Sequence, residues 1–477
     1  MIFHDKVYIG GEWVAPASTG TIDVISPVTE EVIGTVPEGS VADIDRAVAA
    51  ARAALVGPWR DFDREQRADI LAAFAQQLHA RHEEIAEAIT SQNGCPIAFS
   101  IPGQVLGASF YTNYMATLTR TYDFEEERTG LTGARAVVVK EPVGVVAAIV
   151  PWNAPLLLAL LKIAPAIAAG CTVVVKPAPE TPLDSYIWAE CLQSAGVPPG
   201  VINIVAAGRE VSEYLVTHPD VDKVAFTGSS VTGRRIASLC GERIRRVTLE
   251  LGGKSAAIVL DDADLDVTIP GLVGASTMIN GQACALQSRI LVSRARYAEV
   301  VDGLVEGYRA LTVGDPMDPA TMIGPLVAER QRTRVEGYIE SGMDQGAKVA
   351  IGGGRPSGID RGWFVEPTIF VEADNSMTIA REEIFGPVAV VIPYDDVEDA
   401  VAIANDSEFG LSGTVWTTDE DEAMRIVRQV RAGTLTVNGF VYEFNCPMGG
   451  MKSSGLGREM GPEGLSAYLE YKTVSLP

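Results

Sequence analysis

Val145-Val146-Ala147-Ala148-Ile149-Val150-Pro151-Trp152-Asn153-Ala154-Pro155 is the stretch on which the fold turns. Six apolar residues stop at a proline, and a long apolar segment begins at Pro155. The uncharged run 143–161 is nearly long enough to cross a bilayer. Pro151, Trp152, Asn153 and Pro155 interrupt it, and a helix facing lipid would leave the freed backbone groups unpaired. The stretch therefore reads as a buried strand over 145–150, a loop, and a buried helix over 155–169, with no membrane span.

The alternation continues downstream. Strands are predicted at 172–175, 201–205, 223–226 and 246–249, with helices at 182–195, 210–218 and 232–240 between them. Short β-rich runs separated by helices imply a parallel sheet wrapped on both faces. Ligands of such sheets sit beyond the strand C-termini, which singles out Pro151-Trp152-Asn153, Lys176-Pro177 and Thr227-Gly228-Ser229. A second α/β run starts after Gly252-Gly253 and extends to Val437-Asn438. Upstream, residues 5–36 read as short strands, and Ser40-Val41-Ala42-Asp43 reads as a helix cap leading into alanine-rich helices. The segment 124–140 reads as an exposed hairpin that could pair with another chain, and 468–476 reads as an edge strand.

The 477 residues are 47% hydrophobic and 21% charged, a globular composition. Acidic residues outnumber basic ones 62 to 38, for a formal charge of −24. Such a surface repels phosphate backbones and anionic lipid, so neither nucleic acid nor a membrane is an expected partner. The N-terminus lacks a basic region followed by an apolar core, so a cytoplasmic location is expected. The six cysteines, Cys95, Cys171, Cys191, Cys240, Cys284 and Cys446, form no CxxC pair and no ligand cluster. Neither a metal site nor a disulfide framework is expected.

Cys284 lies in Ile279-Asn280-Gly281-Gln282-Ala283-Cys284-Ala285-Leu286, after a glycine that permits a tight turn. It is either a nucleophile or an ordinary small core residue. Phe226-Thr227-Gly228-Ser229 opens a helix whose free N–H groups could hold a pyrophosphate, or is simply a βα turn. Glu250, before Gly252-Gly253-Lys254, is a shielded base or a surface carboxylate. Asn153 is an oxyanion donor or a turn asparagine, and Glu383-Ile384-Phe385-Gly386-Pro387 a cofactor clamp or helix-end packing.

Taken together, and with Gly449-Gly450-Met451-Lys452-Ser453-Ser454-Gly455, these motifs resemble the NAD(P)-dependent aldehyde dehydrogenase superfamily in order and spacing across essentially the whole chain. The resemblance implies an α/β fold with a Rossmann-type cofactor domain (1–123 and 143–252), a second α/β catalytic domain (253–453) and a small β oligomerisation element (124–142 and 454–477). It implies Cys284 as nucleophile, Glu250 as general base, Asn153 with the Cys284 backbone N–H as oxyanion donors, and Lys162 in proton handling. It places Ile149, Trp152, Lys176, Phe226, Gly228, Ser229, Leu251, Glu383 and Phe385 at the cofactor, and it implies a homodimer or homotetramer.

The sequence departs from the family pattern in places. Pro179 stands where many members carry the glutamate that favours NAD, with Glu180 one residue later, so NAD is expected and NADP is possible. Ile279 stands where an asparagine often lies five residues before the cysteine, with Asn280 one closer. Met448 and Ala154 replace aromatic residues, and with Leu157, Leu158 and Leu161 they imply a roomy apolar entrance for an apolar aliphatic or aromatic aldehyde. The cysteine is expected to have a lowered pKa from the nicotinamide charge and nearby lysines. A cofactor-free cysteine hydrolase would need a histidine partner, and His4, His79, His82 and His218 sit in no recognisable motif. A catalytically retired protein on the same fold would not be expected to keep Cys284, Glu250 and Asn153 together.

Overall fold

The computed structural model describes residues 2–131 and 133–476. The run Val145–Ile149 is a fully buried strand, and Pro155–Ala169 is a helix with thirteen of its fifteen residues buried. Pro155 occupies its first turn, where a missing N–H costs nothing, and Gly170 closes it in the left-handed conformation. No helix among the described residues is long and apolar enough to cross a membrane.

Val145–Ile149 lies inside an eight-stranded sheet. Thr172–Lys176 and Ile202–Ile204 follow in parallel on one side, and Lys223–Thr227 and Arg246–Glu250 on the other. The chain thus reverses its direction of sheet-building between Val145–Ile149 and Lys223–Thr227. A crevice opens at such a switch point, beyond the strand C-termini. The hairpin Val7–Ile9 and Glu12–Val14 adds antiparallel strands at one edge, and Gly455–Leu456 adds one at the other. Val41–Val56 begins with the expected cap: Asp43 and Ser40 form a reciprocal capping box.

The second large sheet has seven strands, with Ala256–Val259 between Arg289–Ser293 and Ser412–Trp416. It is parallel except where Lys348–Ile351 pairs with Thr368–Val371. Its interior is a core distinct from the helical core around Pro155–Ala169. The third unit is a three-stranded antiparallel sheet: Glu125–Thr129, Arg135–Pro142 and Leu469–Leu476. Every residue of Glu125–Thr129 is exposed. Gly455–Leu456 belongs to the eight-stranded sheet, so the chain passes through the larger body before it reaches Leu469–Leu476.

Candidate active site

The helix Leu265–Thr277 runs into a tight turn, Met278–Gly281, that presents Cys284. Ile279, Asn280 and Gly281 have φ of 53°, 58° and 75°, all left-handed. Such a conformation costs a β-branched or polar residue roughly 1–3 kcal/mol. The Asn280 side chain, fully buried, offsets it with three hydrogen bonds. Its Nδ2 donates to the carbonyls of Gly94 (2.7 Å) and Pro325 (2.9 Å), and its Oδ1 accepts from the Gly324 N–H (2.7 Å). At about 1 kcal/mol each these roughly balance the strain. The asparagine one residue nearer the cysteine than the family pattern is therefore the anchor of the turn. Only glycine fits at 281, where a Cβ would lie 2.0 Å from the Gly386 carbonyl carbon. A Cβ on Gly253 would likewise lie 2.3 Å from the Cys284 carbonyl oxygen.

Cys284 is half-buried and lines a cleft of about 630 Å³ between the two large sheets. Asn153, Trp152, Gly228, Ser229, Leu251, Glu383 and Phe385 line the same cleft. Ile149, Lys176 and Phe226 stand side by side in register at the ends of three adjacent strands. The Asn153 Nδ2 donates to the Gln282 carbonyl (2.9 Å), which ties the asparagine to the cysteine turn. Its own carbonyl accepts from Asn93 at 3.2 Å. The rings of Trp152 and Phe385 meet edge to face, 5.3 Å apart.

The cleft has the features of a dinucleotide site. Ser229 caps the helix Ser230–Glu242, whose free N–H groups open on the cleft. Glu383 Oε1 accepts from the Gly253 N–H at 3.0 Å, and burial raises its carboxyl to about 7 against that bond and the charges of Arg334 and Lys254. Lys176 is buried at its strand end, where burial lowers its ammonium to about 8. Glu180, the acid after Pro179, pairs with Arg330 at the cleft wall.

Glu250 is 3% exposed, and neither carboxylate oxygen has a partner within the protein. Burial and then Glu459 push its pKa well above the ordinary range, against Lys162 and Arg458. Lys162 is held by partners other than the cysteine. It donates to Glu459 Oε1 (2.8 Å) and Thr227 Oγ1 (2.6 Å). The lysine part of the expected acidification is thus corrected; the part ascribed to the nicotinamide charge belongs to the occupied cleft. Burial, then Glu383 and Glu250, push the Cys284 thiol up to about 12, and its own backbone N–H works the other way. Glu459 was not singled out from the sequence; its signal is a lone acid in Gly457-Arg458-Glu459-Met460-Gly461, where turn residues hide it.

Ala154, Leu157 and Leu158 gather with Phe99, Met278, Ala283, Cys95 and Ile279 in a small apolar cluster beside the cysteine turn. Leu161, 2% exposed, packs instead in the large helical core, and Met448 borders that core.

A model of the aldehyde dehydrogenase family matches residues 13–474. Geranial dehydrogenase of Castellaniella defragrans is 49% identical over 100% of this chain and 99% of its own. A Mycobacterium tuberculosis aldehyde dehydrogenase complexed with NAD+ superposes with a TM-score of 0.98 at 47% identity, covering 100% of this chain and 99% of that one. A mutant of aldehyde dehydrogenase C from Pseudomonas syringae, complexed with NAD+ and octanal, superposes with a TM-score of 0.96 at 41% identity, covering 98% and 96%. The chain belongs to the aldehyde dehydrogenase family. It is an NAD(P)-dependent enzyme of that class, with the family's cysteine-based oxidoreductase chemistry.

In the absence of cofactor, alkylation of Cys284 by iodoacetamide is expected to keep accelerating past about pH 10, because the thiolate stays a minor species until about 12. The reaction is followed peptide by peptide, since the exposed Cys446 also reacts. A plateau near neutral pH would contradict the upward shift of the thiol.

Proposed function

We propose that this enzyme oxidises an apolar aliphatic or aromatic aldehyde to its acid with NAD+, using Cys284, Glu250 and Asn153. The observation that carries this reading is the opening of Cys284 and Asn153 on one cleft with the Ser229 helix start and the Trp152–Phe385 pair. Bound there, NAD+ supplies the hydride acceptor. Lys176, Ser229 and Glu383 would hold its sugar and phosphate groups, and Trp152 and Phe385 would flank the nicotinamide.

The rest is done by this chain. The Cys284 thiol gives up its proton to water and the sulfur adds to the carbonyl carbon, which turns a poor hydride donor into a tetrahedral alkoxide. The Asn153 Nδ2 and the Cys284 N–H hold that oxyanion without reorganising, a contribution of roughly 3–4 kcal/mol for one donor in comparable sites. Loss of hydride leaves a thioester on Cys284. Glu250, with both oxygens free of protein partners, then takes a proton from the water that attacks the thioester. Because its pKa is raised, the basic form grows and hydrolysis quickens as pH rises.

The apolar preference rests on Ala154, Leu157 and Leu158 beside the cysteine turn. Two relatives are named for or bound to geranial and octanal, both apolar. NAD is the expected cofactor, as in the Mycobacterium tuberculosis and Pseudomonas syringae complexes. NADP remains open to this chain because Pro179 presents no carboxylate and Glu180 is held by Arg330. The sheet formed by Glu125–Thr129, Arg135–Pro142 and Leu469–Leu476 is proposed to join subunits through its open edges.

Cys284→Ala is expected to abolish turnover. Glu250→Gln should give a burst of about one equivalent of reduced cofactor per site and then stall at the thioester; normal turnover by that variant would reassign the base. Across an aldehyde panel, read by absorbance of the reduced nicotinamide with NAD+ and with NADP+, aliphatic and aromatic substrates should have the higher kcat/KM. Higher values for carboxylate-bearing aldehydes would reject the apolar pocket. Light scattering should give a dimer or tetramer that dissociates when Val474 becomes lysine, and a monomeric parent would remove the role given to the outer sheet.

A further inference from the structure

Arg330 reaches across the cleft. It stands in the first turn of the helix Glu329–Asp344, which packs on the seven-stranded sheet through Val335 and Ile339. Its Nη2 donates to Glu180 Oε1, which belongs to the opposite wall, just past the end of the strand Thr172–Lys176. Arg330 lines the cleft, and Glu180 lies within electrostatic range of Lys176, so the pair bridges the walls on the side nearest Lys176. An arginine in a first helical turn opposes the helix dipole, and here Arg332 and Arg334 follow close behind. Those two are engaged nearby: Arg332 donates to the Gly362 carbonyl (2.9 Å) and Arg334 to the Glu383 carbonyl (2.7 Å). Among the described residues, Arg330 bonds only to Glu180.

The two halves of this pair differ in freedom. Pro177, Pro179 and Pro182 flank Glu180 and restrict the backbone that carries it. Its side chain is 27% exposed, against 56% for Arg330. An ion pair at such a surface is weak, so the guanidinium can turn to another anion with little loss. It also keeps N–H bonds for a second acceptor, because Glu180 takes only Nη2. In doubly wound sheets the ribose beside the pyrophosphate falls near the end of a nearby strand. There an acid accepts from its 2′-hydroxyl, or an arginine meets a 2′-phosphate. In this chain an acid and an arginine stand near such a strand end together, bonded to each other.

We propose that the Glu180–Arg330 pair sets the choice between NAD and NADP, with Glu180 accepting from a 2′-hydroxyl and Arg330, delivered by the opposite wall, holding a 2′-phosphate. This rests on the reading of the cleft as the dinucleotide site. While Arg330 stays on Glu180 it masks the carboxylate and holds it in place. A 2′-phosphate draws the guanidinium, whose planar fork suits its oxygens better than a lysine would. Each half of the pair thus favours one cofactor and restrains the half that favours the other. A pair that merely clamped the two walls would act on both cofactors alike.

NADH and NADPH differ only in the 2′-phosphate, and their fluorescence reports binding without turnover. Glu180→Gln frees Arg330 and removes the opposing charge. NADPH should then gain about tenfold or more over NADH in Kd ratio, the scale of one hydrogen bond to a charged group. Arg330→Gln leaves a bare carboxylate, and the ratio should move about tenfold or more in the other direction. Arg330→Lys keeps the charge without the fork and should fall between the parent and Arg330→Gln. These differences should shrink as ionic strength rises. Both side chains lie at the surface, so all three variants should melt near the parent. The proposal is overturned if the two glutamine variants leave the Kd ratio unchanged, or shift it in the same direction. If neither nucleotide binds the parent, it is the dinucleotide reading of the cleft that falls, and this assignment falls with it.

Discussion

Three hydrogen bonds from one buried amide hold this site together. Asn280 pins a left-handed turn to the Gly94 and Gly324–Pro325 loops, and only in that turn does Cys284 reach the cleft between the two sheets. The same turn offers the Gln282 carbonyl to Asn153, so nucleophile and amide donor are fixed relative to each other by a single local geometry. Strain in the backbone and satisfaction of the buried amide are two sides of one arrangement. A helix continuing through 278–281 would have carried the sulfur elsewhere.

Around that turn the electrostatics run against ionisation. Glu383 and Glu250 both disfavour the thiolate, and Glu459 disfavours the Glu250 carboxylate. In the protein alone, burial and these neighbouring acids thus shift both the thiol and the Glu250 carboxyl toward their neutral forms. A positively charged ring entering the cleft would act against those acids and favour the thiolate.

Much of this was legible in the residues. The strand and helix pattern from Val145 to Glu250 reads directly, because short β-rich runs such as Val145–Ile149 and Thr172–Lys176 stop near a proline or glycine and the helix Pro155–Ala169 between them is long and apolar. The hairpin at Glu125–Thr129 and Arg135–Pro142 was equally plain. Chemistry at strand ends follows from topology, so Asn153, Gly228 and Glu250 could be marked before any geometry. Harder to read were relations between distant segments. Lys162 meets Glu459 across nearly three hundred residues, and nothing near Lys162 in the sequence points to that partner. Leu161 illustrates the opposite failure: on a helix buried on nearly all sides, neighbouring leucines look alike, and only packing shows that Leu157 and Leu158 also reach the cluster beside the cysteine while Leu161 stays in the helical core.

The segment between Leu456 and Leu469 ties two distant places to one short piece of backbone. Its start is stitched to the edge of the eight-stranded sheet, its middle carries Glu459 into the interior, and its end enters the outer three-stranded sheet. Between the acid and the outer sheet lies only the short helix Gly461–Ser466, itself anchored in the helical core through Leu465. The molecule's periphery and its interior are thereby joined by one short, well-packed length of backbone.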